Sequence, residues 1–373
     1  MRYRSMASLL LALAVPGLAW AKPMLAHSDV FVSGKEGYHT FRIPSLATAA
    51  DGSLIAVAEG RKYNAADPGF ENNDIDLVGK RSSDGGKTWS KLQVIDDPGE
   101  RWSACNPTMV VDRVTGRVWL CYCRTRPGRS SATSRPGTDD AQAWVRSSKD
   151  GGASWSRPTD ITKVARDVDN WAGGFFGPGS GIQDKKGRLI VPMSKTTRGN
   201  AWDAYVIYSD DHGHSWQRGQ LLPDGDRGNE NQLVELADGR ILMDVRQNKG
   251  PHRWLAISRD RGQSWSNPQP GQTVTPVCCA IRRYALKSAG ADRNRILWSG
   301  PKDPTSRANL VVRVSYDEGQ SFTNERLISA LDERAAYSDL TILQDKSVGV
   351  LWERGGYRFI TFSRLNREFL ESK

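Results

Sequence analysis

The tetrapeptide Phe41-Arg42-Ile43-Pro44 sets a guanidinium inside an apolar run. A charge so placed is poorly suited to a solvated face, and a buried arginine needs an anionic partner. The planar fork of Arg42 makes bidentate, charge-assisted bonds to a carboxylate, so the residue is a candidate for holding one. The whole chain is basic, with a formal net charge of +10, which helps to gather an anionic small substrate. Lysine and arginine are scattered along it without a basic run or a nucleic-acid module, which excludes nucleic acid as the partner. Five cysteines, Cys105, Cys121, Cys123, Cys278 and Cys279, are an odd number for complete pairing. Cys121 and Cys123 share one face of a strand, Cys278 and Cys279 are adjacent, and no CxxC pair or nearby histidine completes a metal-binding set. Buried thiols with at most one or two disulfides are the expectation in place of a metal site.

Such residues need a rigid scaffold, and the sequence repeats one turn five times. Ser82-Ser-Asp84-Gly-Gly86-Lys-Thr88-Trp89 recurs around Asp150, Asp211, Asp260 and Asp317. In each copy a strand ends at serine, the aspartate takes backbone N–H groups of the turn, glycine supplies the left-handed dihedral, and an aromatic folds back as a plug. The closing aromatics Trp89, Trp155, Trp216, Trp265 and Phe322 recur at intervals of about 50 to 65 residues, long enough for a sheet of four short strands and too long for a solenoid rung. Divided into a mature chain of about 350 residues, that period predicts an all-β, six-bladed β-propeller, one blade lacking a legible box.

Arg2 and Arg4 precede the apolar run from Leu9 to Val15, and Ala19-Trp20-Ala21 follows. This is the pattern of a signal peptide over residues 1–21, with the mature chain beginning at Lys22 at a net charge of +8. Its product is expected to be a secreted or periplasmic monomer with no integral membrane segment, residues 22–373 forming a single catalytic propeller domain. The Pro/Gly/Ser-rich tract 127–137 falls within one repeat interval and reads as a long loop. Thirteen tryptophans suit many short half-buried strands, with candidates at 116–123, 187–193 and 239–245, and helix is scarce.

The FRIP tetrapeptide combined with the Asp boxes resembles the exo-α-sialidases (neuraminidases), over about His39 to Phe362. The resemblance implies a six-bladed propeller that removes terminal α-linked sialic acid from glycoproteins, glycolipids and sialyl-oligosaccharides, with retention, through a tyrosine nucleophile and without a metal or organic cofactor. Three arginines that clamp the sialic acid carboxylate map to Arg42, Arg246 and Arg307, and Glu353 matches the carboxylate that steadies the first of them. The nucleophile resembles Tyr337, and Glu230, sixteen residues before Arg246, resembles its base. A phenol needs such a base, and a neutral nucleophile suits a carbon that already carries a carboxylate.

The acid/base falls on the loop after Glu59-Gly-Arg61. Asp67 matches best, six residues after Arg61, with Asp74 as the alternative and Asp76 reading as a structural side chain of the next strand. Further pocket candidates are Arg61 beside Asp67, Trp102 and Asn106, and a loop over residues 171–175 that either covers the N-acyl or glycerol arm or packs between blades. Two other functions remain open: transfer to a sugar acceptor or intramolecular trans-sialidase action, and non-catalytic glycan binding.

Overall fold

In each of the five turns the serine hydroxyl accepts the N–H of the second glycine-position residue: Gly86, Gly152, Gly213, Gly262 and Gly319 donate at 2.7–2.9 Å. The aspartate closes the other half. Asp211 accepts from the Ser215 N–H at 2.9 Å and the Ser215 hydroxyl at 2.6 Å, and Asp150 does the same with Ser154. The side chains of each box therefore hold its turn through bonds made within the box itself.

The five glycines also hold neighbouring sheets together. A Cβ at Gly86 would come within 2.1 Å of the Phe362 ring, and one at Gly213 within 2.3 Å of Trp119. Gly152 abuts Ile55, Gly262 abuts Val206 and Gly319 abuts Leu242. Each box thus leans on the repeat before it, and the first box leans on the last sheet, so the contacts run in a closed ring.

The computed structural model describes residues 22–70, 72–197, 201–223, 228–248 and 250–372. The expected signal segment lies outside them. The fold is all-β with a propeller-like arrangement, and the described helices are limited to Thr162–Ala165, a 3-10 turn at Lys287–Ala289, and Arg367–Glu371. No helix among the described residues is long and apolar enough to cross a membrane.

Six separate blades do not form, which corrects the expected six-bladed propeller. Four discrete sheets of four or five strands are joined by one continuous sheet of nine. The discrete ones are built on Leu189–Thr196, Asn231–Glu235, Ala280–Ala285 and Ala335–Ile342. The nine-stranded sheet arises because Ile75 pairs in parallel with Ser103, so that Ile75–Ser82 is bonded to Ser103–Val111 and the first two repeats merge. In the sheet containing Ala335–Ile342, the N-terminal strand Leu25–Val32 pairs with Phe359–Leu365, Leu25 opposite Leu365. The strand candidates after the Gly-Arg turns form as Val118–Thr125, Leu189–Thr196 and Ile241–Val245. All five cysteines are buried and free.

Candidate active site

Three inner strands break register where they reach the site. Thr40–Thr48 is bulged between Arg42 and Ser45, Ser103–Val111 between Cys105 and Thr108, and Ala335–Ile342 between Ala335 and Ser338. A bulge bends its strand and re-aims a side chain, and these three bracket Arg42, Asn106 and Tyr337. Ile43 sits at φ 59° and Asn106 at φ 54°. For a β-branched residue this left-handed backbone costs about 1–3 kcal/mol. The Ile43 strain is offset by its N–H, which donates to Glu353 Oε1 at 2.9 Å.

Glu353 is 1 % exposed and fully engaged. Arg42 donates to it through Nε at 3.0 Å and Nη2 at 3.1 Å, and the Tyr337 N–H donates at 3.2 Å. The structure thus brings Arg42 and Glu353 together. It leaves Arg42 Nη1 directed at Asp67 Oδ1, 3.3 Å away. Glu353→Ala is expected to destabilise the protein by about 3–5 kcal/mol, because it strands a buried guanidinium and two backbone N–H groups. Glu353→Gln, which keeps the shape and some acceptors, should cost clearly less. Denaturant unfolding of the two variants measures this, and equal, small losses would show that Glu353 does not hold Arg42.

Across the site the Tyr337 hydroxyl lies 2.7 Å from both Glu230 carboxylate oxygens. Arg246 Nη1 donates to the Tyr337 oxygen at 2.8 Å and to Glu230 Oε2 at 2.5 Å. Burial pushes the Tyr337 phenol well up, with Arg246 opposing and Glu230 adding to the rise. The phenol is therefore protonated at neutral pH. Arg42 and Arg307 stand 5.1 and 5.7 Å from the Tyr337 ring centre, so the three arginines converge on it. Arg307 is held by the Tyr357 hydroxyl at 3.1 Å and the Pro276 carbonyl at 3.0 Å.

A cavity of about 330 Å³ opens over this group, lined by Arg61, Asp67, Asn106, Glu230, Arg246 and Tyr337 among others. Asp67 receives Arg61 Nη1 at 3.0 Å, and its side chain is 63 % exposed to that cavity mouth. Burial pushes its carboxyl up, but Arg61, Arg42 and Arg246 outweigh this and hold it below the usual carboxylate range. Asp74 and Asp76, each 2 % exposed, are engaged elsewhere. Lys62 reaches them at 2.8 and 3.1 Å, and the Tyr38 hydroxyl donates to Asp76 at 2.7 Å. Of the three aspartates, Asp67 alone faces the cavity.

Two sequence candidates fall differently. Trp102 is not among the residues lining the cavity; its ring lies 5.1 Å from the Arg126 guanidinium. Residues 173–176 form a strand, not a covering loop, in which Phe175 and Phe176 line the cavity while Trp171 packs edge-on against Tyr205 at 5.3 Å. The covering and packing alternatives thus divide between neighbouring aromatics.

Sequence reasoning passed over three contributors. Glu59, fully buried, grips Arg61 at 2.7 and 3.0 Å and takes the Asn106 N–H at 3.0 Å. Burial pushes its carboxyl up while Arg61 draws it down. The signal was there: an acid two residues before Arg61 on the same face of an otherwise apolar strand. Tyr357 lies under Arg42, its ring centre 4.2 Å away. Ser131, from the tract 127–137, reaches the cavity wall.

Residues 52–350 match the model of the BNR repeat-like domain. The chain is 33 % identical over 366 residues to a sialidase of Micromonospora viridifaciens, covering 92 % of this chain and 54 % of that protein. It therefore spans about half the length of that relative. A sialidase of Paraclostridium sordellii is 31 % identical over 340 residues, covering 85 % of this chain and 82 % of its own length. Among solved structures, the Hadza microbial sialidase Hz136 superposes with a TM-score of 0.83 at 26 % identity, over 91 % of this chain and 68 % of that one. With the repeat model spanning most of the sequence and a relative of this identity matched over four fifths of its length, the chain belongs to the sialidase family.

Proposed function

We propose that the protein is an exo-α-sialidase, a retaining glycoside hydrolase acting on terminal sialic acid of glycoconjugates. The observation that carries this reading is the Tyr337 phenol, bonded to Glu230 and Arg246 in one cavity with Asp67. In this reading the substrate carboxylate lies on Arg42, Arg246 and Arg307. Its negative charge counters the guanidinium field that keeps Asp67 ionised, so Asp67 carries a proton when the substrate is in place. Tyr337 then attacks the anomeric carbon and gives its proton to Glu230, the bond to the leaving oxygen breaks, and Asp67 protonates that oxygen. In the second half, Asp67 takes a proton from water, the water oxygen attacks the same carbon, and Tyr337 departs and recovers its proton from Glu230. Two displacements return the original configuration.

The same reading makes residues 22–373 one catalytic domain, exported and cleaved after Ala21. Purified protein is expected to release free sialic acid from α2,3-, α2,6- or α2,8-linked sialosides, and to do so with EDTA present, because every proton transfer has a side chain of this chain behind it. A folded sample inactive on all three linkages overturns the assignment. An anhydro-sugar or a sialylated acceptor as the main product replaces hydrolysis with transfer.

A further inference from the structure

A second cavity, of about 780 Å³, lies at the other end of the same inner strands. Thr40–Thr48 meets the first cavity at Ile43 and the second at Leu46, Ser103–Val111 at Asn106 and then Met109, and Ala335–Ile342 at Tyr337 and then Thr341. Three or four extended residues separate the two by about 10–13 Å, and they share no lining residue. Buried Asp339 ties the strands together between them. It accepts from the Leu46 N–H at 2.8 Å, the Ser180 hydroxyl at 2.7 Å and the Leu340 N–H at 2.8 Å.

The charges lining this cavity do not balance. Arg42, Arg61 and Arg253 each have a carboxylate partner at 3.0 Å or less. Arg282 donates only to carbonyls, Leu340 through Nε at 3.0 Å and Gly181 through Nη1 at 3.4 Å. Its Nη2 has no partner among the described residues. Arg113 likewise spends Nη2 on the Gln183 and Asp184 carbonyls, at 2.8 and 3.3 Å. Lys185 is exposed at the same mouth and forms no ion pair among the described residues. Arg283 is taken by Glu318. The lining's one carboxylate is Glu235, which accepts the Lys185 N–H at 2.9 Å. Burial and the nearby Arg113 both work against the Arg282 charge, with Asp339 opposing them. The half-buried Arg282 guanidinium, with the exposed Arg113 beside it at the mouth, is relieved by an anion set between the two. The wall beside them is aliphatic where it is open, at Val111, Leu286 and Ile342, which favours an anion with an apolar body over a strongly hydrated inorganic one.

We propose that this cavity binds a small organic monocarboxylate, its carboxylate bridging Arg282 and Arg113 and its apolar body lying along Val111, Leu286 and Ile342. The test is calorimetric titration of octanoate into the wild type and into Arg282→Met, Arg113→Ala and Arg246→Ala. Expected is one equivalent bound by the wild type, affinity lowered about 10-fold or more by Arg282→Met and by Arg113→Ala, the scale of one charge-assisted hydrogen bond, and affinity unchanged by Arg246→Ala. Arg113 is exposed and its removal spares the inner strands, so that variant keeps the test decisive if Arg282→Met folds poorly. No binding to the wild type overturns the proposal. So does binding abolished by Arg246→Ala yet indifferent to Arg113→Ala, which would put octanoate in the sialoside cavity. Because Arg113 lies outside that cavity, sialoside hydrolysis by Arg113→Ala reports on the proposed activity separately.

Discussion

Arg246→Ala is expected to lower kcat/KM on sialosides by at least about 30-fold, the low end of the 2–5 kcal/mol carried by a buried, hydrogen-bonded charge pair. The variant also takes the charge partner from Glu230, whose side chain is only 12 % exposed, so the melting temperature is expected to fall as well, and the kinetics are read well below it. Arg246 has two tasks in the proposed mechanism. It receives the substrate carboxylate, and its Nη1 already donates to the Tyr337 oxygen and to Glu230. The first task acts on KM. The second stabilises the phenolate as Glu230 draws off its proton, and acts on kcat. Both constants are therefore expected to worsen, and steady-state kinetics on sialyllactose separates them. A rise in KM at unchanged kcat would restrict Arg246 to carboxylate binding, and near-wild-type kcat/KM would remove it from the site.

Asp67→Ala is expected to lose at least about 100-fold on sialyllactose, the usual scale of general acid catalysis, and clearly less on an aryl sialoside. A 4-nitrophenyl or methylumbelliferyl group leaves with little protonation, whereas a sugar alcohol needs the proton. Asp74→Ala and Asp76→Ala should affect both substrates alike, because those carboxylates hold Lys62 and Tyr38 behind the loop. Values of kcat/KM for three variants on two substrates decide the assignment: a leaving-group-dependent defect at Asp74 or Asp76, with Asp67→Ala nearly silent, moves the acid. The empty site also has a pH signature. Arg61, Arg42 and Arg246 hold Asp67 below the usual carboxylate range, so in the free enzyme it is ionised at neutral pH and takes a proton only as pH falls through that lowered value.

The residues that were legible share one property: their chemistry is local or their motif is long. The Asp boxes could be read because all their bonds lie within eight residues, and Arg42 because its apolar neighbours betray burial. The merger of the first two repeats could not be read. It rests on the Ile75–Ser103 pairing, a meeting of two strand ends that no local pattern encodes. Trp102 was misjudged because placing a side chain needs the backbone direction as well as the neighbourhood. Arg101 before it adopts φ 62°, in the stretch where the chain turns into Ser103–Val111. Glu59 went unremarked because a period-two pattern marks every inward position of a strand as core, and a buried acid stands out only once its arginine is seen beside it.

Leu25–Val32 pairs with Phe359–Leu365, more than 300 residues further along the chain, and the first box waits for Phe362 to receive Gly86. Closure of the ring therefore costs a loop of more than 300 residues, and contacts of such long range make folding slow. Until Phe359–Leu365 is in place, Leu25–Val32 is an unpaired strand open to pairing with other chains. A circular permutant that links residue 372 to Lys22 and reopens the chain between the exposed Pro127 and Gly128 would convert this seam into a local hairpin, and should close faster and aggregate less than the unpermuted chain.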